Sequence, residues 1–356
     1  MNILFLAGNL NHAGGTERVG SLIANGLSEA GHTIVMTSVS CGDKPFFSLN
    51  DDIKVTSLFD TPGRALYRTP LTIKRLRKLL KEENIDALIT VESMGVLCSL
   101  PAVFGLPVKH ICWEHFNFKS DLGKVGRRVA RQLAARFCDS VVTLTERDKQ
   151  YWLDGTKHNN QITAIANPCP FPVQNNIYKE SSKIVLAIGR LADQKGFDYL
   201  CQAWLKVAKY SPGWKLKIVG EGERRRELTQ YITDNELTDS VELVGNTNNV
   251  KKYYEEAAIF CLSSRFEGFP MVLLETLSFG LPVVSFNCDT GPEEVLNGTG
   301  ALLVEPENTD ALATSLIELI NDEQSRSNIA VKSKEKALQY QIEEIIKHWD
   351  ELLVKL

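Results

Sequence analysis

The stretch NILFLAGNLNHAGGTERV, Asn2 to Val19, decides how the rest of the chain is read. An apolar run of strand length, NILFLA, meets a Gly- and Asn-bearing loop, and two adjacent glycines then precede a helix that opens with Thr16 and Glu17. Strand, glycine loop and helix in that order are the first half of a βαβ unit. Gly14 and Gly15 admit two explanations. They form a tight strand-to-helix turn, or they let an anion or a sugar approach the N–H groups of a helix start, where a missing Cβ leaves room.

The same alternation runs on. Strand-like segments begin at Thr33, Lys54, Asp86, Val108 and Ser140, with amphipathic stretches such as Glu17 to Ala30 and Leu71 to Glu83 between them. The Pro- and Asn-rich NPCPFPVQNN, Asn167 to Asn176, interrupts the pattern, which restarts with strands at Lys183, Lys215, Val241, Ala258 and Leu281. Strands alternating with helices predict mostly parallel sheets, so the fold class is α/β with two Rossmann-like doubly wound domains. The expected boundaries are 1–168 for the first domain, 169–180 for a linker, 181–339 for the second domain and 340–356 for a terminal helix. Beyond Gly300, helices are predicted at Thr309 to Asn321, Glu323 to Gln339 and Ile342 to Leu353, and spacing alone does not say on which domain the last one packs. At 356 residues the chain exceeds what one core usually serves.

Composition narrows the class. With 44% hydrophobic and 24% charged residues the chain reads as globular, without an apolar run of membrane-spanning length. The amino terminus lacks a basic region and reads as a strand rather than an export signal, which gives a cytoplasmic expectation. Eight scattered cysteines without C-x-x-C predict neither a zinc site nor a disulfide framework. Residues 1–168 carry 20 Lys and Arg against 16 Asp and Glu, whereas residues 169–356 carry 20 against 28. The excess is concentrated in Arg64 to Lys81, seven cations without one acid, and in Lys119 to Arg136. Either these are solvated helix faces, or they meet an anionic membrane. Nucleic acid is not an expected partner.

Four short stretches carry candidate chemistry. In GRLADQKG, Arg190 and Lys195 follow a strand end, where two cations suit a diphosphate as readily as they suit a solvated loop. In EGFPMVLLE, Gly268, Phe269, Pro270 and Met271 form a turn into a helix whose N–H groups face phosphate oxygens. Glu275 follows as an acceptor for vicinal hydroxyls, with Glu267 and Glu275 as structural charges the alternative. HICWEHFN places His115 and Asn117 at a strand end, as structural residues or as part of a cleft. There is no G-x-G-x-x-G, no G-x-x-x-x-G-K-[ST], no H-E-x-x-H and no D-x-D, which argues against dinucleotide dehydrogenases, P-loop enzymes and metal-dependent sites.

Taken together, the GG loop, the EH strand end, GRL with its following Lys and Gly, IVGEG at Ile218 to Gly222, and Glu267 and Glu275 eight residues apart resemble the retaining glycosyltransferases of family four across the whole chain. That resemblance implies the GT-B architecture of two Rossmann-like domains facing a central cleft. It implies a retaining, metal-independent transfer from a nucleotide-sugar, with UDP preferred and no cofactor. Gly14 and Gly15 would meet the donor diphosphate, which Arg190 and Lys195 would neutralise. Glu275 would hold the ribose, and Gly245 would lie near the base. Glu267 would contact the transferred sugar, with His115 near its 6-hydroxyl. The terminal helix would cross back to the first domain. The acceptor implied is a glycan on a polyprenyl-diphosphate lipid, used in bacterial surface-polysaccharide synthesis at the inner face of the cell membrane. A sugar-nucleotide epimerase of the same architecture and a non-catalytic sugar-binding protein are the competing readings.

Overall fold

A computed structural model describes residues 1–63, 65–121, 123–174 and 181–356. The chain divides into two compact units, Met1–Pro168 with Ile342–Leu356, and Cys169–Gln341. Unit 1 holds a seven-stranded sheet built from β1 (Asn2–Ala7), β2 (Thr33–Ser38), β3 (Lys54–Ser57), β4 (Ala87–Val91), β5 (Lys109–Trp113), β6 (Ser140–Thr143) and β7 (Gln161–Ala164), in the order β3-β2-β1-β4-β5-β6-β7. Unit 2 holds β8 (Ile184–Ile188), β9 (Lys215–Val219), β10 (Val241–Gly245), β11 (Ile259–Leu262), β12 (Val283–Phe286) and β13 (Leu302–Val304), ordered β10-β9-β8-β11-β12-β13. All strand pairings in both sheets are parallel. β4, β11 and β12 are buried along their whole length, which is why they read as continuous apolar runs. In each sheet the order reverses beside the first strand, between β1 and β4 and between β8 and β11. A doubly wound sheet binds ligands at the carboxyl ends of the strands flanking such a reversal.

The helix Ile342–Lys355 belongs to unit 1 and packs on the helix Gly15–Glu29. Its Trp349 is fully buried and meets Trp113 edge to face, with ring centroids 5.0 Å apart. The segment 169–174, read from sequence as the start of a linker, is tied into unit 2: Cys169 N donates to the Tyr340 carbonyl at 2.7 Å and Gln174 N to the Ser278 carbonyl at 2.8 Å. Residues 175–180 of that stretch lie outside the described residues.

Arg64 lies outside the described residues. The helix starts earlier than expected, Ala65–Glu82, and runs through Pro70, which lacks an N–H to donate but has a helix-compatible φ. Leu76 is buried, and Ile73 and Leu79 pack on the core. Two of the cations, Arg75 and Arg77, hold the chain's own carbonyls: Arg75 Nη1 donates to the Leu58 carbonyl, and Arg77 Nη1 to those of Ala102 and Phe104 at 2.8 and 2.7 Å. Charge reversal at Arg75 and Arg77 would therefore injure the fold, contrary to their reading as spare surface charges. In the second basic segment the helix Val125–Phe137 buries Ala130, Ala134 and Ala135, with two of its arginines beside them. It buries Arg127 and Arg131 while exposing Val125, Val129 and Phe137.

Candidate active site

In unit 2 the chain leaves β8, turns through Gly189 and Arg190, and makes a short 3-10 turn at Asp193–Lys195 before the helix Phe197–Tyr210. Gly196 has φ +60, and a Cβ there would lie 2.0 Å from the Ser263 carbonyl oxygen, so only glycine lets this loop dock on the end of β11. Polar bonds then fasten it. Ser263 Oγ donates to the Lys195 carbonyl at 3.0 Å, Arg265 N donates to the Gln194 carbonyl at 2.8 Å, and the Arg265 guanidinium holds both oxygens of Asp198. The docked loop brings Lys195 Nζ to Glu267 Oε1 at 2.7 Å, and Ser264 Oγ donates to the same oxygen at 2.6 Å. Thr290 Oγ1 donates to the Glu267 carbonyl at 2.6 Å, which fixes the backbone under the carboxylate.

Lys195 and Glu267 thus meet directly, largely buried, whereas Arg190 does not join them. Arg190 is exposed and pairs with Glu223 at 3.0 Å, an exposed pair of little energetic weight. Gly268, Phe269 and Pro270 lead into the helix Met271–Ser278, with Pro270 at its N-cap. The Phe269 ring packs edge to face on Tyr340. Glu275 lies one turn into that helix and is buried. Tyr254 Oη donates to its Oε2 at 2.8 Å, and the Tyr254 ring is itself held in a stack with Phe279. Gly245 ends β10 with φ +90, beside the Glu221 carboxylate that Arg225 grips at 2.6 Å.

In unit 1 neither Gly14 nor Gly15 has a positive φ, so neither is required by a turn. A Cβ on Gly14 would lie 2.1 Å from Glu17 Oε2, because that carboxylate folds over the helix start, whereas a Cβ on Gly15 would meet nothing within 4 Å. His115 and Asn117 sit on a loop organised by Glu114, which the sequence reading left without a role. The buried Glu114 carboxylate accepts from Ser93 Oγ at 2.5 Å, from the N–H groups of His115 and Phe116, and from Arg131 Nε at 3.0 Å. Arg131 also donates to the Asn117 and Ser120 carbonyls, both at 3.1 Å, and Phe118 N donates to the buried Asp148 at 2.7 Å. Asn117 Oδ1 accepts from Lys119 N at 2.8 Å and so braces the same loop. Glu114 stands inside the stretch HICWEHFN, but its side-chain partners Ser93 and Arg131 lie 21 and 17 residues away and no local pattern announces them.

The His115 ring packs tilted against Trp113, ring centroids 4.4 Å apart, and its Nε2 is buried with no hydrogen-bond partner among the described residues. Burial holds its pKa down at about 3, so the imidazole is neutral at physiological pH and accepts or donates a hydrogen bond without carrying charge. Among the described residues no group of three or more His, Cys, Asp or Glu is placed to hold a metal ion. The His115 ring should show neutral chemical shifts by NMR from about pH 8 down to about pH 5. A titration midpoint near the ordinary histidine value of about 6.5 would contradict its burial.

Comparison with known proteins puts this geometry in a family. Residues 172–336 match the family described as Glycosyl transferases group 1, and residues 13–170 match Glycosyltransferase Family 4. An uncharacterized glycosyltransferase of Haemophilus influenzae is 38% identical over 351 residues, covering 98% of this chain and 99% of its relative. A Campylobacter jejuni α-1,4-N-acetyl-D-galactosaminyltransferase, named for a glycan carried on diphospho-undecaprenol, is 30% identical over 100% of this chain and 99% of its own. Among solved structures, Anabaena HepE in complex with UDP-glucose shares the fold, with a TM-score of 0.79 at 20% identity over the full length of both chains. Two parallel Rossmann-like sheets and family matches in both halves lead to one conclusion: the chain belongs to the family-four glycosyltransferases and is a glycosyltransferase with the two-domain GT-B fold.

Proposed function

We propose that this glycosyltransferase moves a sugar from UDP-sugar, with retention and without a metal ion, to a lipid-diphosphate-linked glycan in bacterial surface-polysaccharide synthesis. The observation that carries the proposal is the cluster of Lys195, Glu267 and Ser264 at the carboxyl ends of β8 and β11, beside the start of the helix Met271–Ser278. A departing UDP gathers negative charge on its diphosphate as the sugar becomes an oxocarbenium-like cation. Lys195, Arg190 and the N-terminus of that helix would stabilise the growing charge. The Lys195 ammonium has three donors, so its bond to Glu267 leaves capacity for phosphate oxygens. Gly14 and Gly15 would offer backbone N–H groups to the same diphosphate.

Glu275, its orientation fixed by Tyr254, would accept hydrogen bonds from the two ribose hydroxyls, and the base would lie by Gly245. Glu267 would receive hydroxyls of the transferred sugar, and the neutral His115 its 6-hydroxyl region. No step requires an enzymic nucleophile. The acceptor hydroxyl would attack from the face that the diphosphate leaves, and a phosphate oxygen would take its proton. The UDP preference draws on HepE and the acceptor class on the Campylobacter relative. Glu275→Gln should weaken UDP binding by about 1.5–3 kcal/mol, because an amide replaces a charged acceptor. Calorimetry checks this, and an unchanged affinity would remove Glu275 from the donor site.

A lipid-linked acceptor calls for membrane contact, and the proposed contact is the outward face of the helix Val125–Phe137. Val125, Val129 and Phe137 stand exposed there alongside Arg128 and Arg136, and Phe104 nearby is 83% exposed. Apolar side chains among cations are the pattern of an interfacial helix on anionic lipid. Among the described residues no helix is long and apolar enough to cross a membrane. Wild type should sediment with anionic liposomes at low salt, and the Phe104→Ser, Phe137→Ser double variant should stay in solution. Equal pelleting of the two would refute this face.

A further inference from the structure

The chemistry of the acceptor end can be read from a cavity in unit 1. About 400 Å³ of space opens at the carboxyl ends of β1, β2 and β4, next to the first turn of the helix Gly15–Glu29. That volume falls in the range of small-molecule sites, roughly 300–1,000 Å³. Leu10, Met36, Val39 and Met94 supply apolar wall, and the charged side chains among the lining residues are Glu17 and Glu92; none is a Lys, Arg or His.

Glu92 is held there by the backbone. It directly follows β4 with φ 70 and ψ 140, a conformation strained for a residue with a side chain, and its N–H donates to the Trp113 carbonyl at 2.8 Å. Its carboxylate remains partly exposed and stands 3.7 Å from Arg127, a buried cation shared with Glu114 at 3.8 Å. Arg127 Nε and Nη1 have no hydrogen-bond partner among the described residues, so this guanidinium supports Glu92 from behind by charge rather than by consuming its oxygens.

We propose that this cavity is an acceptor subsite for an uncharged sugar ring, in which Glu92 accepts hydrogen bonds from ring hydroxyls and, with Glu17, turns away an acceptor end that carries phosphate. The inference rests on the glycosyltransferase reading and adds the acceptor's charge class to it. Sugar hydroxyls are donors that a carboxylate binds strongly, and the C–H faces or an acetamido methyl of a sugar suit the apolar walls. A phosphate would face two carboxylates there and be repelled by both. Burial and the neighbouring Glu114 and Glu17 push Glu92 up to about 7, against the pull of Arg127 and Lys124. Sugar binding should therefore weaken as the pH falls below about 7 and the carboxyl takes a proton.

The test uses the full chain with UDP present and saturation-transfer NMR on a panel of methyl hexosides and methyl N-acetylhexosaminides, with glycerol 3-phosphate as the anionic probe. At least one glycoside should bind and glycerol 3-phosphate should not. Glu92→Gln should cut the glycoside affinity by about tenfold or more and abolish its pH dependence, while the affinity for UDP stays unchanged. Glu17→Gln provides a second variant, in which the exclusion of glycerol 3-phosphate should relax. Equal binding of glycerol 3-phosphate and glycosides to wild type would overturn the proposal, as would a Glu92→Gln variant with wild-type glycoside affinity and pH profile. Failure of wild type to bind UDP would strike the donor reading instead, because the glycoside measurement is scored separately.

Discussion

The ion pair between Lys195 and Glu267, 2.7 Å long and largely buried, is the interaction on which the geometry of unit 2 depends. Removing two charges from water costs several kcal/mol per ion, and such a pair is tolerated only where further hydrogen bonds complete it. Here Ser264 adds a second donor to the same carboxylate oxygen, and the bonds between the Gln194–Lys195 turn and Ser263–Arg265 hold both partners in register. The docking is possible because position 196 has no Cβ. Two segments about seventy residues apart become one surface at the point where the strand order reverses. The same surface that stabilises the loops gathers a cation, a carboxylate and a helix start.

Unit 1 uses buried charge differently. Glu114 and Arg131 form a closed centre from which bonds radiate to the loop 116–120, and two cations of the helix Val125–Phe137, Arg127 and Arg131, point inward. Beside those two arginines the helix buries Ala130, Ala134 and Ala135, and it leaves Val125, Val129 and Phe137 outside among the exposed Arg128 and Arg136.

The parallel sheets were legible because period and punctuation are local: continuous apolar strands, glycine turns and amphipathic helices state their identity within a few residues. The edge strands Gln161–Ala164 and Leu302–Val304 were not. Glu267 and Glu275 stood out by their spacing around a turn, but Tyr254, which orients Glu275, and Ser264, which completes Glu267, have no signature of their own. Arg75, Arg77, Arg127 and Arg131 read as surface charge because composition does not reveal a carbonyl or carboxylate that folding alone brings near. Glu92 was equally silent. Its strained backbone and its nearness to Arg127 exist only once β4 and the helix Val125–Phe137 lie side by side.

The measurement closest to the centre of this account is the anomeric configuration of the product formed from a UDP-sugar in the presence of EDTA, read from NMR coupling at the new glycosidic carbon. A charge-stabilised departure of UDP, with attack from the same face and without a metal, predicts an α-linked product from an α-configured donor at undiminished turnover. A β-linked product, or activity lost in EDTA and restored by a divalent cation, would contradict it.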